Sequence, residues 1–186
     1  MSADAAAPPF LEGERCYLRP LARSDLDGNW RNWLNDPEVT SFMFHGTFPT
    51  TADSNAEFYE QVSRSSSDLV LAVAAKDDGE HVGNVGLHRI DWVNRSAEFG
   101  ILIGERGRWG QGIGTEAARL IVGHGFDRLN LHRIWLGVFA AHTAAIEVYE
   151  RIGFRIEGTL REAVARGGAY EDQLLMGLLE HDFRSS

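Results

Sequence analysis

The chain has 186 residues, of which 44% are hydrophobic and 24% charged, the composition of an ordinary globular protein of one domain. Its formal net charge of −9 argues against nucleic acid as the main partner; the charge either suits a cationic partner or serves only to keep the protein in solution. Because Cys16 is the one cysteine, an internal disulfide and a multi-cysteine metal site are excluded, and we expect no metal. No apolar run reaches membrane-spanning length, so we expect a protein of the reducing cytoplasm that does not bind membranes.

The start of the chain predicts a tail, a strand and two helices. Residues 1–9 contain alanines and prolines but no basic segment before an apolar one, which indicates a disordered tail rather than a signal peptide. We expect residues 10–186 to form a single domain. Residues 15–19 alternate in polarity and predict a first strand.

The two helices follow this strand. Ser24 or Asp25 can cap a helix that runs to about Leu34, where Asn-Asp-Pro would end it. Residues 51–64 predict the second helix, after a segment rich in aromatic side chains.

The rest of the chain predicts a mixed sheet. Two apolar runs are joined by the tight turn Asp77-Asp-Gly-Glu and predict an antiparallel pair, which continues into a third strand that reads AEFGILI. A helix, a strand, a helix and two last strands follow. The predicted strands cover residues 69–75, 82–90, 97–103, 133–139, 154–164 and 173–179, and the helices residues 115–129 and 143–152. This order predicts an α/β protein of three layers, with helices on both faces of the sheet.

The most informative stretch, residues 104–118, reads GERGRWGQGIGTEAA and connects a strand to a helix. Glycine adopts left-handed backbone conformations and lets a ligand approach the main chain. The following helix points unpaired N–H groups and the positive end of its dipole outward. A turn without a ligand is the alternative, but five glycines interleaved with Arg106, Arg108 and Gln111 favour a phosphate or pyrophosphate site.

Two kinds of phosphate loop fit this stretch poorly. A P-loop closes with Gly-Lys-Ser/Thr, whereas Gly114 is followed directly by Thr115. Residues 112–117 match the loose dinucleotide pattern Gly-x-Gly-x-x-Gly/Ala, but the next strand, residues 133–139, carries no acid for a ribose. A dinucleotide-binding oxidoreductase is therefore disfavoured.

A third kind of loop fits better. Residues 109–114, WGQGIG, resemble the Gln/Arg-x-x-Gly-x-Gly/Ala pyrophosphate loop of the GNAT N-acetyltransferase superfamily. Residues 129–133, LNLHR, and 138–154, VFAAHTAAIEVYERIGF, resemble its second half, in the right order and at the right separation. The resemblance spans roughly residues 18–183 and points to the branch of ribosomal-protein N-terminal and spermidine acetyltransferases. It implies an α/β/α fold with a mixed, mostly antiparallel central sheet.

The same resemblance implies acetyl-CoA as co-substrate, with its pyrophosphate on the backbone N–H groups of residues 109–115. An N–H near Ile101 or Leu102 would stabilise the oxyanion. Trp109 stands where the family most often has Gln or Arg, so the lost polar contact is expected from the neighbouring arginines or glutamine. The predicted cofactor-binding residues are Ile101, Leu102, Ile103, Arg108, Trp109, Gly110, Gln111, Gly112, Ile113, Gly114, Thr115, His142 and Ala145.

Glu98 is the predicted catalytic carboxylate, because its spacing to the loop is similar to that of the catalytic glutamate in some superfamily members. On an apolar strand its pKa would rise towards the range of a general base. The alternative is that Glu98 faces solvent or pairs with Arg89 or Arg95, and the two interpretations stay open. Asp91 and His88 on the neighbouring strand are weaker candidates.

Tyr149 is the second predicted catalytic residue. Its position on a predicted helix, beside Val148 and Ile152, suits a core tyrosine, but the resemblance implies that it protonates the departing thiolate. His142 stands where the family usually has an Asn that caps this helix and reaches the pantetheine arm. It is a poorer cap and a possible cofactor contact rather than a base.

The leading hypothesis is an acetyl-CoA-dependent N-acetyltransferase whose acceptor amine attacks the thioester directly. The acceptor could be a protein N-terminus, a polyamine or an amino sugar, and a homodimer is plausible for the family. A non-catalytic acyl-CoA binding module is the alternative. One further group of residues could form plain core or the apolar wall of an acceptor site: Trp30, Trp33, Phe42, Met43, Phe44 and Phe48.

Overall fold

An eight-stranded sheet forms the centre of the computed structural model, which describes residues 8–43 and 46–185. The strands are β1 (Leu11–Glu12), β2 (Cys16–Pro20), β3 (Leu69–Ala75), β4 (His81–Asp91), β5 (Ser96–Ile103), β6 (Arg133–Phe139), β7 (Arg155–Arg166) and β8 (Ala169–Leu179). They lie in the order β1-β2-β3-β4-β5-β6-β8-β7. Strands β5 and β6 run parallel, and the other neighbouring pairs of the described sheet are antiparallel.

Helices cover both faces of this sheet. They are α1 (Trp30–Asn35), α2 (Ala52–Arg64), α3 (Ile113–Asp127), α4 (Thr143–Ile152) and α5 (Glu180–Phe183). On β5, Phe99 and Ile101 pack in the core with α3 and α4, whereas Leu102 packs against Trp33 of α1. Because successive strand residues point to opposite faces, α1 lies on the other side of the sheet from α3 and α4. The predicted three-layer α/β/α arrangement is confirmed.

Most predicted elements have the predicted bounds within one or two residues, and β3, β6 and α4 have them without change. The last two strands are longer than predicted, with only Gly167 and Gly168 between them. Within the described chain, no helix is both long and apolar enough to cross a membrane. Residues 1–7 of the predicted tail, and Phe44 of the aromatic group, lie outside the described residues.

The helix predicted from Ser24 or Asp25 to Leu34 is wrong. A short 3₁₀ helix, Arg23–Asp27, is followed after a break at Gly28 and Asn29 by the separate helix α1. The cause is a buried ion pair that the sequence pattern does not reveal. Both oxygens of the Asp25 carboxylate accept hydrogen bonds from the Arg19 guanidinium, at 2.7 and 2.8 Å, which ties the 3₁₀ turn to β2.

Strands β5 and β6 separate soon after they pair. Their parallel register joins Ser96 to Arg133 and ends at Glu98 and Trp135, although both strands continue for several residues beyond this point. The two strands therefore enclose a wedge-shaped cleft that opens towards their carboxyl ends. The glycine-rich loop follows β5 directly, at the wide end of this cleft.

The start of α3 is hydrogen-bonded to the turn before β2, at the edge of the sheet that β1 and β2 form. Glu116, in its first turn, accepts hydrogen bonds from the backbone N–H groups of Glu14, Arg15 and Cys16 at 2.8–2.9 Å. Partial burial alone would raise the pKa of Glu116, but these three donors outweigh it and hold the pKa below its usual range. The carboxylate thus anchors the turn before β2 against the end of the glycine loop.

Candidate active site

The glycine loop leaves a run of backbone donors without partners. Gly110 and Gly112 adopt left-handed conformations, with φ of 74° and 81°, and Gly112 caps α3. Among the described residues, none of the six successive N–H groups of residues 110–115 donates a hydrogen bond. Six successive donors without partners at the positive end of a helix dipole are an arrangement that suits a pyrophosphate.

The backbone N–H of Trp109 does not belong to this run of unpaired donors, because it donates to the carbonyl of Arg106 at 3.1 Å. Its indole Nε1 donates to the carbonyl of Ile103 at 2.7 Å, which holds the ring against the end of β5. The side chain therefore fastens the loop to the strand, a role for which the sequence pattern gave no signal.

The polar side chains expected to replace the missing family residue have other partners. The Arg106 guanidinium pairs with Glu38 and lies 3.6 Å from the Asp36 carboxylate. These two acids lie on either side of Pro37 in the chain. The Gln111 amide donates to the carbonyl of Gly107 at 2.7 Å. Arg108 lies among three carboxylates of the turn between β3 and β4, which are Asp77, Asp78 and Glu80, and they raise the pKa of its guanidinium.

Two basic residues beside the loop were missed by sequence reasoning. Arg15 and Lys76 line a cavity of about 440 Å³ together with Arg108, Gln111 and Ile113. The Arg15 side chain lies so close to Gly112 that a Cβ added there would meet its Cδ and Nε at 3.4 Å. Their separation from the glycine motif, by almost 100 residues for Arg15, left no sequence signal.

Tyr149 lies on α4 and packs against β5, one of the two strands that border the cleft. Its ring packs edge-on against Phe99 of β5, with centroids 5.8 Å apart, and against Phe154 at 6.0 Å. Within the described part of the chain, its hydroxyl makes no hydrogen bond. Burial raises the pKa of Tyr149 to about 12, so the phenol is protonated at neutral pH and keeps a proton to donate.

Glu98 is not the isolated, desolvated carboxylate that one interpretation expected. It pairs with the Arg89 guanidinium, which also lies 5.4 Å from the centroid of the Trp135 ring, and its side chain is 27% exposed. The alternative interpretation, an ion pair with Arg89, describes the geometry. Arg95 is directed elsewhere and donates to the carbonyl and side chain of Asn130.

Of the two weaker candidates, Asp91 has a structural role and His88 has a carboxylate partner. Asp91 accepts hydrogen bonds from the N–H groups of Val93 and Asn94 and so holds the turn before β5. The Nδ1 atom of His88 lies 3.2 Å from the Asp68 carboxylate.

At the start of α4, His142 caps the helix by position but not by a side-chain hydrogen bond. Its ring stacks on Phe42 at 4.2 Å, and the Arg166 guanidinium lies 4.2 Å from the same phenyl ring. Burial first, and then the charge of Arg166, lower the pKa of His142, so its ring is neutral at neutral pH. Ala145, one turn further, is half-buried against the core.

The aromatic group divides between core and surface. Trp30 and Trp33 are buried with Val39, as the core interpretation predicts. Phe42 is half-buried in the stack with His142, whereas Phe48 is 82% exposed. In the described residues, no group of three His, Cys, Asp or Glu side chains could hold a metal ion.

Comparison with known proteins decides the family. A family model described as "Acetyltransferase (GNAT) domain" matches residues 15–155. The chain belongs to the GNAT acetyltransferase family. It is therefore an acetyl-CoA-dependent N-acetyltransferase, and the fold predicted from the resemblance is the one observed.

Three similar proteins illustrate the relationship. The spermidine N(1)-acetyltransferase of Escherichia coli (strain K12) is 32% identical over 167 residues, which cover 89% of this chain and 87% of that protein. The uncharacterised N-acetyltransferase p20 of Bacillus licheniformis is 30% identical over 93% of this chain and 97% of its own length. The crystal structure of the spermidine N-acetyltransferase from Vibrio cholerae, in complex with CoA and spermine, superposes with a TM-score of 0.84 at 29% identity, covering 91% of this chain and 98% of that one.

Proposed function

We propose that this GNAT enzyme acetylates a primary amine of a small cationic molecule, with a polyamine as the acceptor class. The observation that carries the proposal is the run of six N–H groups without partners among the described residues, at the mouth of the cleft between β5 and β6, with the Tyr149 ring packed on Phe99 of β5. A pyrophosphate at the loop would direct the pantetheine arm into this cleft. The acetyl thioester that acetyl-CoA supplies would then lie within reach of Tyr149.

The chain's own residues account for binding and for one proton. The N–H groups of residues 110–115 hold the pyrophosphate. Because successive N–H groups of a strand point to opposite sides, one of the two N–H groups of Ile101 and Leu102 is directed away from β4 and faces the thioester oxygen. Tyr149 donates its phenolic proton to the sulfur as the thiolate departs. The apolar surroundings that raise the pKa of Tyr149 also make a thiolate more basic, because burial disfavours every charged form.

A covalent acetyl-enzyme is not part of this proposal. Cys16 is fully buried, and its Sγ lies 3.8 Å from the carbonyl oxygen of Ile113. Burial first, and then Glu116, raise the pKa of the Cys16 thiol to about 12. A buried, protonated thiol is a poor nucleophile, which favours direct attack by the acceptor amine.

The charge of the chain supports a cationic acceptor. The formal net charge of −9 attracts cations to the enzyme. Two of the similar proteins are named spermidine acetyltransferases, one from Escherichia coli and one from Vibrio cholerae. Asp36 and Glu38 lie in the segment after α1, beside the glycine loop, where their only cation among the described ion pairs is Arg106.

The experiment has a binding part and a turnover part. In a thermal-shift titration, CoA and acetyl-CoA at a hundredfold excess over the dissociation constant should stabilise the protein by about 2.7 kcal/mol, and NAD should not. Thiol release is then followed with spermidine, a peptide with a free N-terminus, and glucosamine. Turnover with spermidine at the highest kcat/KM is expected.

The two parts fail in different ways. Turnover with the peptide or the amino sugar, but not with spermidine, would reassign the acceptor and leave the cofactor site intact. If neither form of CoA stabilises the protein, the proposed pyrophosphate site itself is refuted.

A further inference from the structure

His88 and Asp68 form a pair on the face of the sheet opposite α3 and α4. Asp68 directly precedes β3, and His88 lies near the end of β4. In the register of β3 and β4, Leu69 pairs with Leu87, which brings the residues on either side of this pair together. Nδ1 of His88 and Oδ1 of Asp68 are 3.2 Å apart.

Asp68 is held as a charged acceptor. Its carboxylate accepts a hydrogen bond from the Ser65 hydroxyl at 2.7 Å and one from the backbone N–H of Arg89 at 3.2 Å. Burial alone would raise the pKa of Asp68, but these donors and His88 lower it below its usual range. Because an ionised carboxylate only accepts, Nδ1 of His88 carries the proton, and the lone pair of the neutral ring is on Nε2.

Nε2 of this ring has no hydrogen-bond partner among the residues that the structure describes, and it lies over two glycines. Gly86 and Gly100 pair directly across β4 and β5. A Cβ added to Gly86 would come within 2.6 Å of His88 Nε2, and one added to Gly100 within 3.6 Å. The imidazole therefore occupies space left by two missing side chains, and its side chain is 30% exposed to solvent.

We propose that His88 is the general base for the acceptor amine and that Asp68 is its positioning residue. The inference rests on the proposed function, because Gly100 directly precedes Ile101 and Leu102, one of which was assigned to the thioester oxygen through its N–H group. A nitrogen base above Gly100 stands beside the carbon that the amine attacks. Glu98, opposite His88 in the register, is neutralised by Arg89 and is the poorer base.

In the proposed reaction, His88 on one face of the sheet accepts a proton, and Tyr149 on the other face donates one. An acceptor that arrives as an ammonium ion gives one proton to Nε2 of His88, which passes it to solvent. The nitrogen lone pair forms the C–N bond at the thioester carbon, and the C–S bond breaks. Tyr149 gives its proton to the sulfur and regains one, directly or through water, from the newly acylated nitrogen. The products are the amide, the free thiol and one proton.

The charged groups that face His88 come from three elements. Asp68 approaches from the segment before β3, Glu98 from β5, and Arg89 from β4 itself, with its guanidinium on Glu98. The pH dependence of the reaction therefore has to be separated from titration of Asp68 and Glu98. Variants of His88, Asp68 and Glu98 make this separation.

The kinetic test compares four variants with the wild type across pH, at saturating acetyl-CoA. For His88→Gln, kcat/KM for spermidine should fall about a hundredfold at neutral pH and recover as pH rises, because a free amine needs no base. Asp68→Asn should cause a smaller loss, about tenfold. Glu98→Gln and the matched carboxylate control Asp91→Asn should keep the wild-type pH profile.

A spectroscopic test does not depend on turnover. In ¹⁵N–¹H spectra that detect imidazole tautomers, His88 of the wild type should be protonated at Nδ1, and Asp68→Asn should redistribute the proton to Nε2. Wild-type turnover reports on the proposed function separately. The proposal is overturned if His88→Gln keeps the wild-type rate and pH profile, if Glu98→Gln instead removes the fall in kcat/KM towards acidic pH, or if the wild-type ring carries its proton on Nε2.

Discussion

The two halves of this active site are built from different materials. The half proposed to bind the pyrophosphate consists of backbone N–H groups, whose direction is set by glycines in left-handed conformations and by the start of a helix. The proposed catalytic half consists of side chains, such as His88 paired with Asp68 and Tyr149 packed on Phe99. The first half depends on which residues lie next to each other in the chain, the second on which strands lie next to each other in the sheet.

The largest expected effect is in the catalytic half. Tyr149→Phe removes one oxygen from a ring that packs on Phe99 and Phe154 and leaves that packing in place. Without the proton donor, kcat for spermidine should fall by about 10²- to 10³-fold. Stabilisation by CoA should be unchanged, since the loop is not altered. Steady-state thiol release and the thermal-shift titration measure the two quantities.

The matched control for this change is Tyr170→Phe, at a tyrosine that is 70% exposed on β8. It should leave both quantities at wild-type values. A Tyr149→Phe enzyme with full kcat would mean that the thiolate takes its proton from another source, such as water.

The second effect concerns the backbone half alone. Gly112→Ala puts a Cβ on a residue with φ of 81°, which costs about 1 kcal/mol or more, and brings it within 3.4 Å of the Arg15 side chain. We expect CoA affinity to fall about tenfold or more, with kcat at saturating acetyl-CoA reduced far less. Isothermal titration with CoA gives the affinity.

Gly168→Ala separates backbone strain from loss of the site. Gly168 has φ of 83°, and no atom lies within 4 Å of an added Cβ. It should lose similar stability without losing CoA affinity. If both variants bind CoA equally well, the N–H groups of the loop do not hold the ligand.

The contrast between the halves also explains what could be predicted from sequence. The glycine loop was predictable because Gly110, Gly112 and the helix that follows are contiguous, and a contiguous pattern determines where the N–H groups point. The family resemblance added the order of the strands. Trp109, next to the same glycines, was predicted as a ligand contact, yet its indole bonds to β5.

Pairing between distant residues could not be predicted from a single sequence. The sequence left two interpretations of Glu98 open, a general base and an ion pair. Arg89 reaches Glu98 from a left-handed backbone conformation in the folded β4, and no sequence pattern indicates that conformation. Similarly, Asp25 has the sequence pattern of a helix cap but forms a buried pair with Arg19 instead. The link between Glu116 and residues 14–16 spans about 100 positions and has no local sequence pattern.

That link gives the third prediction, on stability. Glu116→Gln keeps one acceptor oxygen but loses the charge that strengthens three hydrogen bonds, so the free energy of unfolding should fall by about 1–2 kcal/mol at neutral pH. For a domain of this size, each kcal/mol corresponds to about 2–4 °C in Tm. Thermal melts at several pH values measure it.

The pH dependence of this difference has a definite sign. The pKa of Glu116 in the folded protein lies below its ordinary value of 4.5, so its stabilising contribution is complete above that pH and is lost as pH falls through the folded value. The gap between wild type and Glu116→Gln should therefore be constant near neutrality and close in acid. A gap that widens in acid would contradict the assigned role of the carboxylate.

The smallest effect lies where the two halves meet. Arg106, in the loop, pairs with Glu38 and Asp36 in the segment after α1, and all three side chains are substantially exposed. Exposed pairs contribute less than about 1 kcal/mol, so Arg106→Gln should leave Tm nearly unchanged. It frees two carboxylates, however, and should lower KM for spermidine about two- to threefold at low salt, an effect that screening removes at high salt.

Arg151→Gln, which breaks the exposed pair with Glu147 on α4, makes the same change in net charge away from this segment. If both variants lower KM equally, spermidine is attracted by the charge of the whole protein rather than by Asp36 and Glu38.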